Sequence, residues 1–137
     1  MKPSHPVELL CCAIATQEGW FDPDPSVIPR ARKNPGDLRY AKQIGTIPPA
    51  DYGSGPVPVV PIATFQDEQY GITALFRQVW LQVAEGQTVR RIIAQWAPPN
   101  ENNTSKYLED VLEWTGLPAD TPVLDLLPAL VNLNLPS

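Results

Sequence analysis

Apolar residues recur at helical spacing near the start of the chain, and Glu18 lies where this pattern ends. At about 100° per residue, the face that carries Glu18 also carries Val7, Leu10, Cys11 and Ile14. The opposite side is apolar as well, so we expect this helix to run through the middle of the domain. It should begin at Ser4 or His5 and end near Glu18, because Gly19 is a typical helix stop.

The same spacing predicts three more long helices and a short final one. Their bounds are about residues 67–84, 88–96 and 104–116, with the short helix opening at Thr121. Asp67 and Thr88 are typical N-terminal caps, and Gly116 is a typical C-terminal stop. The predicted core face of the helix at 67–84 carries Ile72, Leu75, Phe76, Val79 and Val83. That of the helix at 88–96 carries Val89, Ile92, Ile93 and Trp96, and that of the helix at 104–116 carries Tyr107, Leu108, Val111 and Leu112.

Residues 20–65 form a long loop region between the first two of these helices. Prolines are dense in segment 41–61, and each one removes a backbone donor. The sequence PIATF at 61–65 can form a short strand. The predicted fold class is therefore mainly α, with about five helices, a long Pro-rich loop and at most a small β element. Loops this long are usually functional in compact domains.

The composition fits one globular domain of residues 1–137, and we expect a monomer. No apolar run reaches the roughly 18 residues of a membrane-spanning helix. The net charge of −5 argues against nucleic acid as the main partner, because phosphate binding relies on clustered Lys and Arg. Half of the ten basic residues lie between Arg30 and Lys42, so an anionic ligand and a solvated loop are both compatible with this segment.

The few cysteines and histidines exclude several enzyme classes. Cys11 and Cys12 are adjacent, and a bridge between neighbours is strained, so we expect reduced thiols. His5 is the sole histidine, which nearly excludes a His-based metal site or a Ser-His-Asp triad. We expect no metal and no cofactor. Glu8 argues against a secretion signal at the N-terminus, and the sequence does not indicate a location.

Glu18 is the most informative candidate for chemistry. A carboxylate on an apolar helix face is costly unless it is neutral, paired or open to a cleft. The negative end of the helix dipole and the apolar neighbours Trp20 and Phe21 should raise its pKa, which suits a general acid that protonates a leaving sugar oxygen. The alternative is a structural ion pair with an arginine of the loop, namely Arg30, Arg32 or Arg39.

Five segments carry a resemblance to a known family. They are AIATQEGW (13–20), ARKNPGDLRY (31–40), ATFQDEQYGITALFRQV (63–79), TVRRIIAQWAPPNENNTSKYLEDV (88–111) and TGLPADTPV (115–123). In order and wording they resemble small phage-associated and bacterial proteins of the lysozyme-like superfamily, which are related to lytic transglycosylases and to muramidase or glucosaminidase domains. The resemblance covers about residues 12–123. It implies one lysozyme-like domain whose partner is peptidoglycan or a related amino-sugar polymer.

In that superfamily the glutamate that ends the first core helix is the catalytic acid, and the resemblance assigns this role to Glu18. Asn34, Gly36 and Tyr40 would shape the cleft wall. The implied substrate contacts are Trp20, Asn34, Asp37, Tyr40, Trp96, Asn100, Asn103 and Tyr107. Relatives usually have asparagine in place of Asp37, which can supply a second carboxylate or have no role.

Structural alternatives accompany these candidates. Tyr107 and Trp96 lie on predicted core faces of helices. Asn100 and Asn103 can form turns or cap the following helix. The sequence KNPGD at 33–37 is first of all a turn.

The predicted function is cleavage of peptidoglycan glycan strands, with Glu18 as general acid and then base. A hydrolase needs a second carboxyl group, about 5 to 5.5 Å away in a retaining enzyme or about 6.5 to 9.5 Å away in an inverting one. A transglycosylase resembling the family needs only one, so the outcome stays open. The alternative is a non-catalytic lysozyme-like structural or glycan-binding module of a phage virion or secretion apparatus. The acidic composition mildly favours that alternative, because the wall polymer is also negatively charged.

Overall fold

The computed structural model describes residues 5–49, 60–98 and 103–128. These residues are mainly helical with one small two-stranded sheet, which confirms the predicted class at that level. The elements in chain order are α1 (Pro6–Glu18), α2 (Ile28–Ala31), β1 (Thr46–Ile47), β2 (Thr64–Phe65), α3 (Glu68–Ala84), α4 (Val89–Trp96), α5 (Thr104–Thr115) and a 3-10 helix at Val123–Leu126. Asn100 and residues 50–59 of the Pro-rich segment lie outside the described residues.

The chain divides into two compact units. Cys11–Val79 forms one, which we call the loop unit, and Met1–Leu10 with Trp80–Ser137 forms the other, which we call the helical unit. The loop unit is one continuous stretch of chain, whereas the helical unit joins two segments that are distant in sequence. A single domain of residues 1–137 stays a prediction.

Helix α1 is buried on most of its sides, as its sequence predicts. The buried residues are Pro6, Val7, Leu9, Leu10, Cys11, Ala13, Ile14 and Ala15. His5 caps the first turn, because its Nδ1 accepts a hydrogen bond from the Val7 N–H at 3.2 Å. Its carbonyl oxygen also accepts one from the Leu9 N–H at 2.9 Å. Such burial makes the helix a rigid support for the residues at its end.

The loop unit is held together by pairing between distant parts of the long loop. Strands β1 and β2 are antiparallel, with Thr46 opposite Phe65 and Ile47 opposite Thr64. An isolated bridge between Arg39 and Ile62 continues the pairing. The short strand predicted at 61–65 is thus confirmed at Thr64–Phe65, where Phe65 is almost fully buried.

The start of α3 approaches the loop very closely at Gly71. A Cβ atom at this position would overlap the carbonyl oxygen of Lys33 and lie 3.0 Å from Cδ of Pro35. The buried face of this helix therefore runs through Gly71, Leu75 and Val79. The prediction that Ile72 lies on the core face is wrong. This residue is 38% exposed, because it lies one position past the buried face.

Caps predicted from the sequence shape the helical unit. The side chain of Thr88 accepts a hydrogen bond from the Arg91 N–H and caps α4. Helix α5 ends at Gly116, whose φ of 73° is left-handed. These helix ends agree with the local rules for caps and stops.

The core face of α5 differs from the prediction at one residue. Leu112 is expected to be buried, but it is half-buried.

Polar contacts also connect the parts of the helical unit. Arg90 pairs with Asp120 at 2.7 Å, and the Val123 N–H donates to the carbonyl oxygen of Gln87 at 3.1 Å. The side chain of Gln82 is 3% exposed and donates to Oε1 of Gln95 at 2.9 Å. The segment after α5 is thereby attached to the turn between α3 and α4.

Candidate functional site

Glu18 is the last residue of α1 and is half-buried. The helix stops there because Gly19 adopts a left-handed φ of 95°. The Gly19 N–H donates to the Thr16 carbonyl oxygen at 3.2 Å, and the Trp20 N–H donates to the Ala15 carbonyl oxygen at 2.9 Å. This pair of bonds is a Schellman motif. It explains why glycine and an aromatic residue follow the acid.

The Schellman motif fixes the surroundings of Glu18 through the backbone. The last carbonyl groups of α1 place the negative end of the helix dipole at this carboxyl group. Trp20, bonded back to Ala15, is half-buried beside the helix end. Phe21 was expected to help desolvate Glu18, but it is 65% exposed, so it is not the apolar wall that the sequence predicted. The raised pKa of Glu18 stays a prediction.

The three arginines that are the alternative ion-pair partners for Glu18 donate hydrogen bonds to backbone carbonyl oxygens. Arg30 donates to the carbonyl oxygen of Asp22 at 2.6 Å. Arg32 donates to the Ile62 carbonyl oxygen at 2.9 Å and approaches the Thr64 hydroxyl at 3.3 Å. Arg39 donates to the carbonyl oxygen of Val60 at 2.8 Å. The basic cluster of this segment thus connects one part of the long loop to another.

Asn34 is the fully buried centre of this loop. Its Nδ2 donates to the carbonyl oxygens of Ala63 at 2.8 Å and Leu38 at 3.0 Å, and its Oδ1 accepts from the Leu38 N–H at 2.9 Å. All of these bonds are made to the backbone, so the side chain sets the shape of residues 32–40, which we call the 32–40 loop. Tyr40 ends that loop, is half-buried and donates its N–H to the Pro61 carbonyl oxygen at 2.8 Å.

Asp37 occupies an unusual position in the 32–40 loop. Its φ is 50°, in the left-handed region. Its Oδ1 is enclosed by protein and receives no hydrogen bond from any described residue. Burial raises the pKa of the Asp37 carboxyl above its ordinary value, and the positive charges of Arg39 and Arg32 partly oppose this rise. Buried oxygens without a donor are uncommon in folded proteins.

The remaining candidates lie in the helical unit. Trp96 ends α4 and is half-buried, and Tyr107 of α5 is 8% exposed. The side chain of Asn103 accepts a hydrogen bond from the Lys106 N–H at 3.1 Å and caps α5, which confirms the capping interpretation of this residue. Contact of these side chains with a sugar stays a prediction.

Five candidates belong to the loop unit: Glu18, Trp20, Asn34, Asp37 and Tyr40. Their grouping in one site stays a prediction. Sequence reasoning missed the contributions of Arg32 and Gly71 to this unit. Arg32 bridges to residues some thirty positions away, and Gly71 makes room for the Lys33 carbonyl group. No local pattern signals either contact.

The described residues contain no group of three or more His, Cys, Asp or Glu side chains that could hold a metal ion. Among the same residues, none of the helices has both the length and the apolar character needed to cross a bilayer. Comparisons of the chain with protein-family models, curated proteins and solved structures found no significant match.

Proposed function

We propose that the protein is a lysozyme-like enzyme that cleaves the glycan strands of peptidoglycan, with Glu18 as its acid and base. The observation that carries the proposal is the position of Glu18. Its carboxyl group belongs to the last residue of a buried helix, is half-buried and is followed by a fixed turn to a half-buried tryptophan. A catalytic acid needs such a rigid and partly desolvated position.

The carboxyl group of Glu18 alone can serve as both the acid and the base of glycosidic bond cleavage. Protonated Glu18 donates its proton to the glycosidic oxygen as the bond from that oxygen to the anomeric carbon breaks. The resulting carboxylate then accepts a proton from the attacking group, and a new carbon–oxygen bond forms at the anomeric carbon. The attacking group is water in a hydrolase and a hydroxyl group of the sugar itself in a transglycosylase. Both routes return Glu18 to its protonated form.

The neighbouring residues have supporting roles in this proposal. The half-buried Trp20 offers an apolar face on which a sugar ring can stack. Asn34 shapes the loop from within, since its amide is fully used by backbone groups. The half-buried Tyr40, at the end of the same loop, is a candidate for contact with the polymer.

The test uses purified peptidoglycan and a pair of matched variants. Glu18→Gln keeps the size of the side chain and removes its proton-donating group. Glu8→Gln makes the same change in the first turn of the same helix, where the side chain is exposed. We expect the wild type and Glu8→Gln to reduce the turbidity of a peptidoglycan suspension, and Glu18→Gln to leave it unchanged with an unaltered circular dichroism spectrum.

Two results would contradict the proposal. Activity retained in Glu18→Gln would show that another group is the acid. A wild-type protein that sediments with peptidoglycan and never cleaves it would instead support the non-catalytic glycan-binding module. Sedimentation should therefore be measured on the same samples as turbidity.

A further inference from the structure

We propose that Asp37 is a pH-sensitive latch of the 32–40 loop, which is closed while this carboxyl group is neutral and loosens when it loses its proton. This inference does not depend on glycan cleavage. It rests on how the side chain and its backbone are held in the loop unit.

The enclosed oxygen of Asp37 makes the closed loop sensitive to charge. Oδ1 is buried and receives no hydrogen bond from a described residue. A neutral carboxyl group tolerates such an environment far better than a carboxylate, whose charge must be solvated or paired. The backbone of Asp37 is left-handed as well, with a φ of 50°, which is uncommon for a residue other than glycine. Opening of the loop hydrates the carboxylate, so ionisation favours the open form.

The surrounding charges moderate this effect without cancelling it. The charged groups that act on Asp37 are Arg39 and Arg32, which both belong to the 32–40 loop. Both guanidinium groups donate to backbone carbonyl oxygens of residues 60–62. Burial outweighs their attraction, and the pKa of Asp37 in the closed loop is raised.

Three hydrogen bonds donated by backbone amides report directly on the state of the loop. The Leu38 N–H donates to Oδ1 of Asn34 at 2.9 Å. The Ala63 N–H donates to the Leu38 carbonyl oxygen, and the Tyr40 N–H donates to the Pro61 carbonyl oxygen, both at 2.8 Å. Opening of the 32–40 loop breaks these bonds, so the hydrogen-exchange protection of the three amides measures the population of the open form.

The experiment follows the exchange of these amides by NMR between pH 3 and pH 6.5, corrected for the intrinsic exchange rate. In the wild type we expect protection to fall as pH rises through the titration of Asp37. The fall should approach about tenfold for each unit by which the closed-loop pKa exceeds the open-loop pKa. The opening constant, which is the inverse of the protection factor, should reach half of its total change at the pH where the carbon chemical shift of the Asp37 carboxyl group titrates.

Two variants remove the titrating group without changing the backbone. Asn and Gly both tolerate left-handed φ, so Asp37→Asn and Asp37→Gly should fold, and either one alone suffices for the comparison. We expect both to show flat protection across the pH range. Asp24→Asn is the control, because the exposed Asp24 carboxylate accepts hydrogen bonds from Ser26 in the same unit. This control should keep the wild-type pH dependence.

A flat profile in the wild type would overturn the latch. So would a pH dependence that persists in the Asp37 variants, or a carboxyl titration whose midpoint differs from that of the opening constant.

Discussion

Replacing Gly71 by alanine tests how the loop unit is packed. In an ordinary helix interior this change stabilises the protein, because alanine exceeds glycine in helix propensity by about 1 kcal/mol. Here the added methyl group would overlap the Lys33 carbonyl oxygen and lie 3.0 Å from Cδ of Pro35. The oxygen belongs to the backbone of the 32–40 loop and cannot rotate away. We therefore expect the sign of the effect to reverse.

The expected magnitude follows from these two opposing terms. Overpacking a well-packed site costs about 1 to 3 kcal/mol, and a clash with backbone belongs at the upper end of that range. Subtracting the gain in propensity of about 1 kcal/mol leaves a net loss of about 2 kcal/mol in the free energy of unfolding. A strain of this kind should also weaken the amide protection of the 32–40 loop.

Urea unfolding followed by circular dichroism measures this loss. Thr73→Ala is the matched control, since Thr73 is an exposed residue of the same helix and its replacement changes helix propensity alone. The control should be slightly more stable than the wild type. A Gly71→Ala protein as stable as the wild type, or more stable, would refute the close approach of α3 to the Lys33 carbonyl group.

Three further predictions concern polar groups. Asn34→Leu removes a side chain that bonds to Leu38 and Ala63, and it should cost about 3 kcal/mol in urea unfolding, because buried backbone groups lose their partners. Asp37→Asn should raise the urea midpoint at pH 7 and leave it unchanged near pH 3. Burial raises the pKa of Asp37 in the folded protein above the ordinary 3.8, so the wild type loses stability as pH rises and this carboxyl group ionises, whereas the variant does not. Arg90→Ala should leave the urea midpoint unchanged within error, because the pair with Asp120 is exposed. The first expectation would be contradicted by equal urea midpoints for the wild type and Asn34→Leu. A higher midpoint of Asp37→Asn at pH 3 would contradict the second, and a clearly lower midpoint of Arg90→Ala would contradict the third.

Much of the fold could be predicted from local sequence. Helix ends depend on the few residues around them, so Gly19 and Gly116 mark the ends of α1 and α5 correctly. Thr88 caps α4 for the same reason. The burial of α1 on most sides also follows from its composition alone.

The contacts that shape the loop unit could not be predicted in this way. Asn34 donates a hydrogen bond to the carbonyl oxygen of Ala63, and Arg32 donates one to that of Ile62. Each acceptor lies about thirty residues away along the chain. The exposure of Ile72 follows from the close approach at Gly71, which places the buried face of α3 one residue earlier. These features depend on tertiary packing, which overrides local propensity.

The candidate site was only partly accessible to the same reasoning. The pattern of apolar residues singled out Glu18 and placed it at the end of α1. The exposure of Phe21 and the enclosed oxygen of Asp37 required the structure, because both depend on how the loop folds back. The basic cluster between Arg30 and Lys42 is compatible, from sequence alone, with an anion site or a solvated loop. In the structure most of its side chains donate hydrogen bonds to backbone carbonyl oxygens.

Mass spectrometry of the fragments released from purified peptidoglycan tests the role of Glu18 most directly. The wild type and Glu8→Gln should release glycan fragments, and the reducing end of each fragment identifies the bond that is cut and separates hydrolysis from an anhydro product. Folded Glu18→Gln should release none. Identical fragments from Glu18→Gln and the wild type would show that the carboxyl group at the end of α1 is not the acid that breaks the glycosidic bond.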